Sequence, residues 1–142
     1  MSYTLTFSKA VLMVLFVADK VRLGQYDFVP TKVLSEALNI AVPTAVKIMQ
    51  ALNRAGIIET REGAKGGVRL ARQADSISVL DILEAIEINR PLFRDDFNIN
   101  ITGTKPTLGQ KAISDVLKKA EQEMKNQLKE KSIADLIADI NN

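Results

Sequence analysis

Neither cysteine nor histidine occurs anywhere in the 142 residues. Without thiols the chain can form no disulfide, offers no thiolate to a metal and cannot itself ligate an iron–sulfur cluster. Without imidazole a Ser-His-Asp or Cys-His nucleophile and any His-ligated metal are excluded, so an enzyme here would have to work with carboxylates or lysine. Long apolar runs are missing too. The best candidate, Val11–Ala18, lies between Lys9 and Asp19 and is too short to span a bilayer or to be a signal-peptide core. Glu84, Glu87, Asp95 and Asp96 are the one acidic concentration, and no nucleophile, metal-ligand spacing or cofactor motif accompanies them. The expectation is a soluble, cytoplasmic protein, not an enzyme, with no metal, no cofactor and no membrane contact.

What is present suits one compact domain with an extension: 46% of the residues are hydrophobic, ample for a core. The organising stretch runs from Pro43 to Arg72. Ala45, Val46, Met49 and Leu52 have the three-and-four spacing of a helix with one buried face, and Gly56 stops it. Two strand-like runs follow, 57–61 and 68–72, joined through a loop whose turn glycines are Gly63, Gly66 and Gly67. Helix followed directly by a basic hairpin is how a winged helix places one element in a major groove and the other on neighbouring backbone or minor groove. Charge agrees with that reading. The whole chain is only +2, but 43–72 carries Lys47, Arg54, Arg61, Lys65, Arg69 and Arg72 against Glu59 and Glu62, a local +4, whereas 73–106 comes to −3. A solvated hairpin with ordinary surface cations is the bland alternative.

The remaining elements fit around this unit. A first helix through about Arg22, capped by Thr6 or Ser8, is apolar enough at Ala10, Leu12, Met13, Leu15, Phe16, Val17 and Val21 to lie in the core. Gly24–Asp27 breaks it, Phe28-Val29 is a short extended piece, and Pro30-Thr31, with Thr31 as cap, opens a second helix to about Leu38. Asn39–Val42 turns the chain into the helix begun by Pro43, whose missing N–H costs nothing at a helix start. The pair is a helix-turn-helix. After the hairpin an amphipathic helix is expected over about Val79–Ile88, with Leu80, Leu83, Ile86 and Glu87 on one stripe and Pro91 as its end. Phe93–Ile101 reads as an irregular crossover. A long helix from about Thr107 to Lys131 bears Leu108, Ala112, Ile113, Val116, Leu117, Ala120, Met124 and Leu128, a stripe longer than a small winged helix needs, and a short helix over 132–137 ends the chain. The fold class is therefore mainly α with a small β-hairpin: a winged helix-turn-helix domain over 1–90, a crossover over 91–106, and over 107–142 a long dimerisation helix with a short terminal helix. Ile113, Leu117, Ala120, Met124 and Leu128 are the expected dimer interface. Packing of that stripe back onto the first helix is the alternative.

The stretch LNRAGIIETREGAKGGVRLAR followed by ISVLDILEAIE resembles the Rrf2 family of bacterial winged-helix transcription regulators. Leu52, Ala55, Gly56, Gly63, Gly66, Gly67, Leu70, Ala71 and Arg72 fall on the family's pattern, and Ile77 through Glu87 fall on its helix after the wing. The resemblance implies a homodimer that binds a palindromic operator in double-stranded DNA through the helix after the turn and the wing, dimerising by the long C-terminal helix. Well-known members hold an iron–sulfur cluster on three cysteines; this chain is similar instead to the cysteine-poor branch, whose reader helix begins as in Pro43-Thr44-Ala45-Val46-Lys47. Members usually carry Arg just before the first wing glycine; here that residue is Glu62 and the cation is Arg61.

The expected DNA-contacting set is Pro43, Thr44, Lys47, Gln50, Arg54, Arg61, Lys65 and Arg69. Lys47 suits guanine O6/N7, Gln50 an adenine edge, and Arg54 with the wing cations the phosphates. A phosphate-binding reading of Gly63–Gly67 is rejected, because such a loop opens a helix with Gly-Lys-Ser/Thr and this one opens a strand. The rival function is a winged-helix protein-interaction module that reaches DNA only through a partner. The sequence leaves room for a small-molecule or protein effector it does not identify; Phe7, Phe16, Phe93 and Phe97 are the aromatics available to line a ligand pocket.

Overall fold

The computed structural model describes residues 5–88 and 90–141. It contains α1 (Leu5–Arg22), α2 (Thr31–Leu38), α3 (Val42–Arg54), β1 (Ile58–Arg61), β2 (Gly67–Leu70), a 3₁₀ turn (Ala74–Ser76), α4 (Val79–Ile86), α5 (Thr104–Lys129) and α6 (Ile133–Asn141). This is a winged helix-turn-helix with a long additional helix, mainly α with a two-stranded hairpin. The helix α1 forms the floor of the domain and touches α2, β2, α4 and α6, while α3 packs on α2, β1 and α4.

Local chemistry sets most boundaries. Asn39 ends α2 in the left-handed conformation (φ 52°), the one non-glycine with positive φ among the described residues. Asparagine tolerates that region because its short polar side chain adds little clash. The Ile40 N–H then donates to the Ser35 carbonyl, and the Ser35 hydroxyl donates back to the Ile40 carbonyl, which buries Ile40 in the turn. Thr31 does not cap α2: it is the first helical residue, Pro30 precedes it, and no side chain caps the end. Thr6 and Ser8 likewise lie inside α1. At the far end of α3, Gly56 (φ +74°) donates to the Asn53 carbonyl and Ile57 to the Leu52 carbonyl, both at 3.0 Å, the paired bonds of a Schellman stop.

The hairpin is antiparallel with Ile58 opposite Leu70, Glu59 opposite Arg69, Thr60 opposite Val68 and Arg61 opposite Gly67. Of the expected extended pair, Phe28 lies in a bend and Val29 alone bridges the hairpin, pairing with Val68 through bonds of 2.8 and 2.9 Å that tie the wing to the α1–α2 connection. Opposed residues point to the same side of a sheet. Val68 therefore points into the core with Ile58, while Glu59, Arg61 and Arg69 share the other face.

Three stripes differ from the sequence reading. In α3 the buried set is Ala45, Ile48, Met49 and Leu52, with Val46 only half-buried, because packing rotates the face slightly toward Ile48. In α1 one face is buried (Ala10, Met13, Val14, Val17, Ala18), leaving Leu12 53% exposed. In α4, shorter than expected, Ile82, Leu83 and Ala85 are buried while Leu80 is half-buried. A reciprocal capping box starts this helix: Ser78 Oγ accepts from Asp81 N–H and Asp81 Oδ2 accepts from Ser78 N–H.

The long helix begins at Thr104, three residues before the expected start, and ends at Lys129. Pro106 falls in its first turn, where a missing N–H leaves no bond unmade. The crossover between Pro91 and Gly103 has no regular structure, but it is strapped to α5 by Ser114 Oγ donating to Asp95 Oδ2 at 2.6 Å and by Leu92 N–H donating to Glu121. Residues 107–142 do not pack as one unit. While α5 leans on α4, α6 returns to the winged domain: Ile133 is fully buried and its N–H donates to the Ile77 carbonyl at 2.8 Å.

Candidate nucleic-acid interface

With Ala45, Ile48, Met49 and Leu52 committed to the core, the opposite face of α3 is fixed by the 3.6-residue period. Pro43, Lys47, Gln50, Asn53 and Arg54 are exposed there, and Thr44 and Ala51 are half-exposed. Beside this face lies the wing. Between them runs an open groove of about 540 Å³ lined by Pro30, Thr31, Val46, Met49, Gln50, Asn53, Thr60, Arg61, Glu62 and the wing glycines. Asn53, Thr60 and Thr31 are groove residues that the sequence reading passed over. The helical period could have supplied Asn53, three residues after Gln50; Thr31 and Thr60 arrive only through the tertiary fold.

Two of the wing glycines are required by close approach. A Cβ on Gly66 would collide with the Arg61 carbonyl oxygen, and one on Gly67 (φ +146°) would collide with the Val29 carbonyl oxygen. The turn is thus closed against its own strand, and the wing root against the α1–α2 connection.

The structure separates the expected cations into two groups. Among the described residues, Lys47, Arg54 and Lys65 make no ion pair and are exposed. The three remaining arginines are engaged within the chain. Arg72 donates to Asp81 Oδ2 (2.9 Å) and to the Ser76 carbonyl (2.8 Å), pinning the end of the hairpin to the cap of α4. Arg69 donates to Glu59, its cross-strand partner, and to Asp27 Oδ1 at 3.2 Å. Its guanidinium pKa is raised, first by the bond to Glu59 and further by Asp27. Arg61 lies 3.9 Å from Asp27 Oδ2. Both guanidinium groups sit over the Phe28 ring, 4.3 and 4.4 Å from its centroid. Glu62 is exposed beside the groove.

The expected dimer residues share one stripe of α5, as their spacings of four, three, four and four residues require: Ile113 and Ala120 are exposed along it, while Leu117, Met124 and Leu128 are half-buried. Of the four aromatics proposed for an effector pocket, Phe7 and Phe16 pack against the core, and Phe93 lines a hollow of about 140 Å³ with Pro91, Asp95, Ser114, Leu117, Lys118 and Glu121. No described helix is long and apolar enough to cross a membrane.

Comparison with known proteins places this geometry. The profile of the Rrf2 family, described as "Iron-dependent Transcriptional regulator", matches residues 4–139. A stretch of 54 residues is 41% identical to the HTH-type transcriptional regulator IscR of Cereibacter sphaeroides, covering 38% of this chain and 35% of that protein. The match therefore spans only about a third of that relative's length. Among solved structures, T. potens IscR superposes with a TM-score of 0.70 at 19% identity over 99% of this chain and 88% of that one. CymR, the global cysteine regulator of B. subtilis, superposes with a TM-score of 0.68 at 16% identity over 97% of both chains. Identities this low speak to the fold alone.

The family description names iron, and the residues here do not fit it. The sequence contains no cysteine or histidine, and among the described residues no group of three or more Asp and Glu converges as a donor set. The two aspartates of the crossover are instead bonded to Ser114 and Arg94.

Proposed function

The chain belongs to the Rrf2 family of DNA-binding transcriptional regulators, and we propose that it acts as a cytoplasmic homodimer that recognises a palindromic operator and represses the adjacent gene without an iron–sulfur cluster. The observation that carries this reading is the exposed outer face of α3, with unpaired Lys47 and Arg54, beside a groove whose other wall is the wing. In that arrangement α3 enters the major groove. Lys47 and Gln50 reach base edges, Pro43 and Thr44 bring the start of α3 against the backbone, and Arg54 and Lys65 take phosphates. Arg61 and Arg69 flank the wing root and join the backbone contacts from there.

Dimerisation rests on α5. Its 26 residues extend about 39 Å at 1.5 Å per residue, and none of them is buried, although Leu108, Ile113 and Val116 are large and apolar. Ile113 and Ala120 are the exposed members of the stripe, and Leu117, Met124 and Leu128 are its half-buried members beside them. A symmetric pair of such helices covers that stripe and sets two reader helices one DNA turn apart, the spacing a palindrome needs.

The test is to pass fragmented genomic DNA over the purified protein, sequence what is retained, and titrate one retained duplex and one random duplex at three salt concentrations. Retention of fragments sharing an inverted repeat, with log K falling steeply with log salt, is expected. Binding that does not depend on salt, or no retained fragments at all, would leave the protein-interaction module as the reading.

A further inference from the structure

An exposed acidic residue faces two of the wing arginines. Asp27 lies in the α1–α2 connection with its side chain 73% exposed, yet each of its carboxylate oxygens faces a different arginine: Oδ1 is 3.2 Å from Arg69 and Oδ2 is 3.9 Å from Arg61. Strand register puts those two arginines on one face of the hairpin, and the Phe28 ring packs against both of them there. Phe28, 6% exposed, is the apolar floor on which both guanidinium planes rest. Glu59 holds Arg69 from the other strand. The result is two oriented guanidinium groups around a single anionic position, and Arg61 also lines the groove beside α3.

We propose that this position is a seat for one phosphodiester of the DNA backbone, and that Asp27 occupies it as an internal substitute for phosphate when no DNA is bound. The inference rests on the DNA-binding function proposed above. A phosphodiester carries the same single charge as a carboxylate and accepts the same forked hydrogen bonds from arginine. Solvent-exposed ion pairs are weak, so the carboxylate is displaceable. Arg61 and Arg69 are thereby kept in their DNA-ready orientation, and their attraction for backbone of any sequence is reduced. Lys47, which has no such competitor, keeps a larger share of the discrimination between sequences.

The experiment is a double-mutant cycle with the full chain, read by fluorescence anisotropy on a retained duplex and a random duplex at three salt concentrations. Asp27→Asn should tighten both duplexes alike, by about two- to fivefold at low salt, with the slope of log K against log salt little changed, because the same phosphate fills the seat in both proteins. In an Arg61→Gln, Arg69→Gln background the same substitution should change nothing. A tightening that persists in that background would overturn the proposal, since it would be the general effect of removing a negative charge. So would an unchanged or weakened Kd for Asp27→Asn. Asp27→Ser, with thermal melting of each variant, guards against a folding defect, because it removes the carboxylate with a different side chain. If the unmodified protein binds no duplex at all, the DNA-binding reading fails, a result distinct from a flat cycle in a protein that binds.

Discussion

Replacing Gly67 by alanine tests how the wing is anchored. A Cβ at this position meets the carbonyl carbon and oxygen of Val29 and the nitrogen of Pro30, all backbone atoms that no side-chain rotation can move away. Relief requires the Val29–Val68 rung to open, with its bonds of 2.8 and 2.9 Å between residues that are 0% and 1% exposed. Losing two buried backbone bonds and holding alanine at φ +146° costs about 3–5 kcal/mol together. At roughly 3 °C per kcal/mol for a chain of this size, the melting temperature should fall by about 10–15 °C. Gly63 is the control: it also has positive φ (+97°), but nothing lies within 4 Å of its Cβ position. Gly63→Ala should therefore lose only the conformational term, about 1–2 kcal/mol. Urea unfolding followed by far-UV circular dichroism measures both. Equal losses in the two variants would refute the argument, because both place alanine at positive φ and only Gly67 faces the collision at Val29.

Three further outcomes are expected. Ile113→Lys with Val116→Lys places charge on the exposed face of α5 and should give monomers by light scattering with an unchanged melting profile for the monomer fold; a persistent dimer would move the interface elsewhere. Lys47→Ala should lose roughly 1–3 kcal/mol of preference for a retained over a scrambled duplex, whereas Lys65→Ala should weaken both equally and flatten the salt slope by about one, an anisotropy comparison in which identical behaviour of the two would void their assigned roles. Asp135 accepts from the Ser132 N–H in the cap of α6, and that bond, with the Ser132 hydroxyl, holds its carboxyl below the ordinary aspartate value. A depressed folded-state pKa gives stability that is present above the unfolded value and lost as pH falls through the folded one, so thermal melts of Asp135→Asn and the parent should converge on acidification, and a gap that widens at low pH would contradict the cap.

The sequence by itself determined the order and type of the elements. Hydrophobic period, Gly56 as a helix stop and the glycine-rich loop are local signals, and they sufficed for the helix-turn-helix, the wing and the outward face of α3 that carries Lys47 and Gln50. The absence of cysteine and histidine likewise removed thiolate and imidazole chemistry without any coordinates. Non-local relations were decided by the tertiary structure. Val29 joins the wing because two backbones separated by a whole helix-turn-helix come within hydrogen-bonding distance, and no pattern within either segment encodes that meeting. The return of Ile133 to Ile77 is of the same kind. The division of the cations into free Lys47, Arg54 and Lys65 and engaged Arg61, Arg69 and Arg72 also depended on the fold, since Asp27 and Asp81 become their counter-ions only when the hairpin packs against the α1–α2 connection and α4. Charge along a chain is additive, but pairing depends on distance in space, so a local count of +4 could locate the basic surface and could not say which of its charges remain free to meet a phosphate.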